Sequence, residues 1–242
     1  LCAVLLYFIG DIWSISSAFI RDHWNLAFNR RKMRFSGTGG NRPIFLSEES
    51  WLGWLIIIGS IPIGTVGFLF KDFIEGQGTK NLWIIATMLI VIAVLLFVAE
   101  KVGSHRKNVE HLTLVDALVQ GCCQVLALMP GASRSGSTIM GGLLAGETRE
   151  TAARFSFLLS MPAIFASGLL ELHQATKILP NDAWTPLLVG TIVAGIVGYV
   201  SIWGLLAYLK RNSTFVFVAY RIILGALILL LLWKGVIAPN VP

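Results

Sequence analysis

The run Pro130-Gly131-Ala132-Ser133-Arg134-Ser135-Gly136-Ser137-Thr138 places one guanidinium among four hydroxyls and two glycines. The planar fork of N–H donors on arginine matches phosphate or carboxylate oxygens. Ser133, Ser135, Ser137 and Thr138 add hydroxyl donors, and Gly131 and Gly136 let the backbone close on a ligand. A helix starting near Ser135 would aim free N–H groups at an anion. The chemistry so specified is recognition of a phosphate, carboxylate or sulfate group. Taken singly, these residues also suit an arginine that snorkels to a surface and small residues that pack helices together. Their concentration in one short segment favours the anion site. Gln120 and Gln124 lie one helical turn apart on a shared face, and either bond across the segment or line the site.

The elements that must position these groups are membrane spans. Charged residues make up 13% of the 242 residues, about half the usual share of a soluble domain. Six long apolar segments are expected: Leu1–Ile20, Trp51–Phe70, Leu82–Ala99, Thr151–His173, Pro186–Leu209 and Phe215–Trp233. Runs of about 20 apolar residues match a hydrocarbon core of about 30 Å. The seventh apolar stretch, Leu112–Ala145, is broken at Pro130-Gly131. Halves of about 15 residues are too short to cross, so the spacing predicts a re-entrant hairpin. The expected class is therefore an all-α integral membrane protein, an inverted-repeat helical bundle with six transmembrane helices and one re-entrant hairpin.

The loops set its orientation. Arg21–Arg42 and Glu100–His111 are basic and are expected on the cytoplasmic side, whereas Lys71–Lys80 is charge-balanced and is expected outside. With the hairpin entering and leaving on the cytoplasmic side, Lys210 and Arg211 fall inside, Lys177 falls outside, and the C-terminus falls on the outer side. The net charge of +6 is thus explained by topology and calls for no nucleic acid. Ser36-Gly37-Thr38-Gly39-Gly40 suggests a flexible stretch in the first basic loop. Three spans before the broken segment and three after it make a single membrane domain of two oppositely oriented repeats, residues 1–111 and 112–242. Leu1 is not Met and opens inside an apolar run, so the chain reads as cut within its first span, with a second hairpin expected upstream.

Other polar residues suggest structural roles. Glu147, Arg149, Glu150 and Arg154 are expected as an interfacial ion-pair cluster. Glu171 and His173 sit near a span's end. Asp11 is an intramembrane carboxylate that nearby Ser14, Ser16 and Ser17 can satisfy. Arg221, alone in an apolar span, can pair with Tyr220 or with a distant carboxylate. Cys122 and Cys123 have no metal-ligand or disulfide spacing and suit packing.

The Pro130–Thr138 string resembles the second signature of the undecaprenyl-diphosphatase (bacitracin-resistance protein) family. Ala152-Ala153-Arg154-Phe155-Ser156-Phe157-Leu158-Leu159-Ser160-Met161-Pro162 is similar to that family's next span, and the similarity extends through Phe217-Val218-Ala219-Tyr220-Arg221. The resemblance implies hydrolysis of undecaprenyl diphosphate to the monophosphate and inorganic phosphate, which recycles the carrier lipid for peptidoglycan in a bacterial inner membrane and gives bacitracin resistance. It implies that Arg134 binds the diphosphate, that Ser133 and Thr138 position it, and that Gln120 and Gln124 mirror an acidic pair of the first repeat. It also implies a divalent cation, magnesium or calcium, and a polyprenyl diphosphate lipid as partner within a membrane-lipid surround. A homodimer is a further expected state. The family's first signature, an ExxxE pair followed by PVSSTGH, does not occur among the 242 residues. His23, His105, His111 and His173 lack its surroundings. Inverted repeats with broken helices also suit a transporter or flippase for an anionic lipid or solute, or an inactive phosphate-binding fragment.

Overall fold

The computed structural model describes residues 2–29, 46–76, 79, 81–178 and 184–239. The expectations for most of the basic loop, including Ser36–Gly40, fall outside the described residues. The chain runs through α1 (Cys2–Tyr7), α2 (Ile9–Asn29), α3 (Glu48–Leu69), α4 (Lys71–Glu75) and α5 (Leu82–Val102). It continues with α6 (Leu114–Val125), α7 (Arg134–Leu144), α8 (Arg149–Ile178), α9 (Trp184–Leu209) and α10 (Phe215–Trp233). Local signals explain several boundaries. Ser47 caps α3 by accepting from the Ser50 N–H, and Asn81 caps α5 by accepting from the Trp83 N–H. Thr113 and Asp116 form a reciprocal capping box at the start of α6.

Five described helices, α3, α5, α8, α9 and α10, are long and apolar enough to cross a membrane. The first expected span is built instead by α1 and α2, which meet at buried Phe8 with backbone bonds continuing through the joint. With Asp11, Arg21 and Asp22 on it, α2 falls outside those five. Large apolar side chains such as Ile196, Val200, Trp203 and Ile223 remain exposed on the spans, as contact with lipid tails requires.

The broken segment folds as a hairpin. Its two helices, with 12 and 11 residues, reach only about 18 and 17 Å at 1.5 Å per residue. Its two ends meet: the Arg106 and Lys107 N–H groups donate to Gly146 O at 2.9 and 3.0 Å, and the Thr148 N–H donates to Lys107 O at 2.9 Å. The hairpin packs against α3, α5 and α8. Its approach to α3 is set by glycine, since a Cβ on Gly121 would lie 2.1 Å from the Gly59 carbonyl oxygen.

Ion pairs tie one end of the bundle. Glu100 on α5 accepts from Arg149 on α8 and from Thr214 before α10. Arg154 pairs with Asp11 at 2.5 Å and Lys210 with Glu150 at 3.1 Å. The expected cluster of Glu147, Arg149, Glu150 and Arg154 is therefore dispersed. Successive residues of a helix point to different neighbours, and each of these charges is paired with another element. Asp11 is satisfied by Arg154 rather than by the serines, and the Ser14 hydroxyl donates to the Asp11 backbone carbonyl.

Gly121→Ala should destabilise the protein by about 1–3 kcal/mol, because backbone on both sides leaves the methyl no exit. Gly64→Ala, with nothing within 4 Å of the added carbon, should shift stability by no more than about 1 kcal/mol. Thermal unfolding in detergent separates the two.

Candidate functional site

The hairpin's tip carries the signature. After α6 a short 3-10 turn, Leu126–Leu128, leads into an irregular loop that ends at Ser133. Gly131 takes φ +88°, and a Cβ there would lie 2.3 Å from the Ile85 carbonyl oxygen, so only glycine passes α5 at this point. Ser133 has φ 65°, the left-handed region that a non-glycine residue occupies at a cost of about 1–3 kcal/mol. In that conformation its hydroxyl caps α7, accepting from the Gly136 N–H at 3.2 Å. The N–H groups of Arg134 and Ser135, the first residues of α7, have no backbone acceptor one turn back.

The candidate residues divide into two sets. Ser133 and Arg134 are exposed, and Ser135 is half-buried. The Arg134 guanidinium makes no hydrogen bond and no ion pair among the described residues. Ser133, Ser135 and Gly136 line a cavity of about 370 Å³ between α5, α7, α9 and α10. Ser137 and Thr138, by contrast, are fully buried behind the tip. The Ser137 hydroxyl donates to Ala132 O at 3.4 Å; Thr138 bonds to Arg134 O at 2.9 Å and makes a short contact with Ser156 on α8. These two brace the loop rather than face the cavity. Gln120 and Gln124 are also fully buried, inside the hairpin, and Gln120 donates to Glu147 at 2.7 Å.

Sequence reasoning missed Arg221. Instead of pairing with Tyr220 or a carboxylate, its Nη2 donates to the Gly131 and Ala132 carbonyls at 3.0 and 2.8 Å, and its Nε donates to Leu89 O at 3.4 Å. Gly136 makes room for it, since a Cβ there would lie 2.7 Å from Arg221 Nη1. A lone charge in an apolar span was the available signal; backbone carbonyl partners leave no trace in residue types. Neither Arg134 nor Arg221 has a carboxylate partner among the described residues. The hairpin tip thus carries two positive charges without a counter-ion, beside hydroxyls and free N–H groups. Arg221 is buried against carbonyls that carry only partial charge, and a bound anion would offset the cost of burying it.

The donor set does not fit a divalent cation. The cavity lining includes no carboxylate, histidine or cysteine, and no cluster of three such residues occurs among the described residues. The histidines lie elsewhere: His23 sits between Phe19 O and the Trp54 indole, His105 bonds Glu100 O, His111 is exposed before α6, and His173 is exposed toward the far end of α8.

Fold and site together define a multi-pass membrane protein whose broken central segment folds as a hairpin with two arginines at its tip. The chain belongs to the family described as Bacitracin resistance protein BacA, which it matches over residues 1–227. It is 44% identical over 234 residues to the undecaprenyl-diphosphatase of Syntrophobacter fumaroxidans, covering 97% of this chain and 79% of that protein. It is 45% identical over 239 residues to that of Mycolicibacterium gilvum, covering 98% and 80%. A Streptomyces coelicolor protein named undecaprenyl-diphosphatase 2 is 42% identical over 250 residues, covering 98% and 80%.

Arg221→Met should cost about 1–3 kcal/mol of stability, because it leaves buried carbonyls without donors, and should weaken binding of pyrophosphate. Arg221→Lys should recover only part of each loss, since one ammonium replaces a planar fork. Thermal unfolding and pyrophosphate titration measure both effects; unchanged values for Arg221→Met would remove Arg221 from the site.

Proposed function

We propose that this protein hydrolyses undecaprenyl diphosphate to undecaprenyl phosphate and inorganic phosphate. The observation that carries the reading is the pair of unneutralised guanidiniums, Arg134 and Arg221, at the tip of a hairpin in a chain of this family. A diphosphate supplies the missing negative charge. Family membership and the relatives' shared name support the lipid as substrate.

The geometry supports the following roles for the residues present. Arg134, free of other partners, binds the head group, and the Arg134 and Ser135 N–H groups with the Ser133 and Ser135 hydroxyls orient it. A water oxygen bonds to the terminal phosphorus as the bond to the bridging oxygen breaks; the lipid leaves as its monophosphate, the terminal group leaves as inorganic phosphate, and the water's proton passes to the phosphate products or to solvent. Charge that builds on the phosphoryl and bridging oxygens is met by Arg134 and by the fixed positive field of Arg221. Leu205, Leu209, Phe217 and Leu224, which wall the cavity that Ser133, Ser135 and Arg221 line, suit the hydrocarbon adjoining the head group.

A divalent cation, magnesium or calcium, would screen the diphosphate when bound. Its ligands would be carboxylates that the described cavity lacks, and the group that activates water is likewise absent from the lining. The family's first signature is the proposed source of both. The packing supports a place for it. The hairpin lies against α3, α5 and α8; in the repeat scheme of residues 1–111 and 112–242 their counterparts are α9, α10 and the α1–α2 segment. The basic residues Lys101, Arg106, Lys107, Lys210 and Arg211 belong to the ion-paired end of the bundle, which supports that end as cytoplasmic and the C-terminus as outside, in the bacterial inner membrane.

Purified full-length protein should release phosphate from undecaprenyl diphosphate, and Arg134→Ala should lower the rate by at least about 100-fold, with partial recovery in Arg134→Lys. Wild-type protein that releases no phosphate would overturn the hydrolysis; retained activity in Arg134→Ala would overturn the role of Arg134.

A further inference from the structure

Glu147 lies outside the spans, in the four-residue link Ala145–Thr148 that joins α7 to α8. It is nevertheless completely buried. One carboxyl oxygen, Oε2, accepts from Gln120 Nε2 at 2.7 Å. The other, Oε1, has no partner, and neither has Gln120 Oε1. Both unpartnered atoms are acceptors, and the surrounding packing is tight. A Cβ on Gly142 would lie 2.6 Å from Gln120 Nε2, 2.8 Å from Glu147 Oε2 and 2.7 Å from the Ala152 Cβ. One proton placed between the two orphaned oxygens would satisfy both.

We infer that Glu147 is held as a neutral carboxylic acid whose proton is shared with Gln120, so that acid and amide form a proton-dependent clasp at the base of the re-entrant hairpin. In the neutral state the acid O–H donates to the amide oxygen while the amide N–H donates to the acid. The two orphaned acceptors then satisfy each other. The charged groups near Glu147 have other partners. Lys107, on the loop before α6, is paired with Asp116 of α6 at 2.7 Å. On α8, Arg149 turns to Glu100 at 2.6 Å and Glu150 to Lys210 at 3.1 Å. His105 bonds Glu100 O, and the sole charged side chain of α7 is Arg134, at its opposite end.

The titration of Glu147 agrees with that geometry. Burial pushes its carboxyl up to about 7, with Asp116 acting in the same direction and the Gln120 hydrogen bond and Lys107 opposing. The folded value lies above the ordinary 4.5. The clasp's stabilisation is therefore complete below about pH 4.5 and is lost as pH rises through about 7. Ionisation leaves an uncompensated charge where α6 meets the link, and that strain acts on the helices that carry the signature loop.

The test uses full-length protein in detergent and does not depend on the proposed hydrolysis. Amide hydrogen exchange, corrected for intrinsic base catalysis, should show opening of α6 and the Ala145–Thr148 link rising on the order of 50-fold between about pH 5 and about pH 8 in the wild type. Glu147→Gln keeps the shape and the amide pairing, and should flatten that profile. Infrared spectra at about pH 5 should contain a protonated-carboxyl C=O band that Glu147→Gln lacks. Wild-type protection that does not change with pH, or parallel profiles in the two proteins, would overturn the clasp; so would a protonated-carboxyl band unaffected by the substitution.

Discussion

Within a membrane every backbone carbonyl needs a donor, and a helix supplies its own while a loop does not. The loop from Met129 to Ser133 is the place where this chain leaves helical bonding, and Arg221 supplies what it lacks. Two of its three bonds go to the Gly131 and Ala132 carbonyls. That single side chain fixes the loop to α10, which in turn packs along α5. The glycines at 131 and 136 follow from the same need: one lets the loop pass Ile85, the other lets the guanidinium reach it. A net bond to a charged donor is worth about 1.5–3 kcal/mol, enough to offset the left-handed strain at Ser133.

Holding the loop this way leaves an electrostatic imbalance. Arg221 is committed to carbonyls, which carry partial charge only, and Arg134 has no hydrogen-bond or ion-pair partner among the described residues. Several other cations of the bundle have carboxylate partners, as in Arg154 with Asp11, Arg149 with Glu100 and Lys107 with Asp116. Surface ion pairs contribute little to stability, about 0–1 kcal/mol each, so those pairs chiefly fix which helix ends meet. The unmatched pair at the hairpin tip is where an anion gains most.

Much of this was legible in the residues. Uninterrupted apolar runs gave α3, α5, α8, α9 and α10, and the Pro130-Gly131 break gave the hairpin, because both follow from length against bilayer thickness. Hydroxyls and glycines around Arg134 marked the loop. Side-chain direction was not legible. Ser133, Ser137 and Thr138 look alike in sequence, yet only Ser133 faces the cavity, because the helix begins at Arg134 and turns the others inward. Arg221 was visible as an isolated charge, but its carbonyl partners carry no residue signature. The charges from Glu147 to Arg154 were grouped by proximity along the chain, and helical geometry sends each to a different neighbour.

The central claim is that the hairpin tip, and no other polar surface of the bundle, receives the phosphate oxygens. The most direct measurement is a structure of the full-length protein with a diphosphate-bearing polyprenyl lipid bound. The account predicts phosphate oxygens within hydrogen-bond distance of the Arg134 guanidinium and of the N–H groups that open α7. A head group seated instead in the groove lined by Arg154, Glu150 and Lys210, with Arg134 still unbonded, would contradict it.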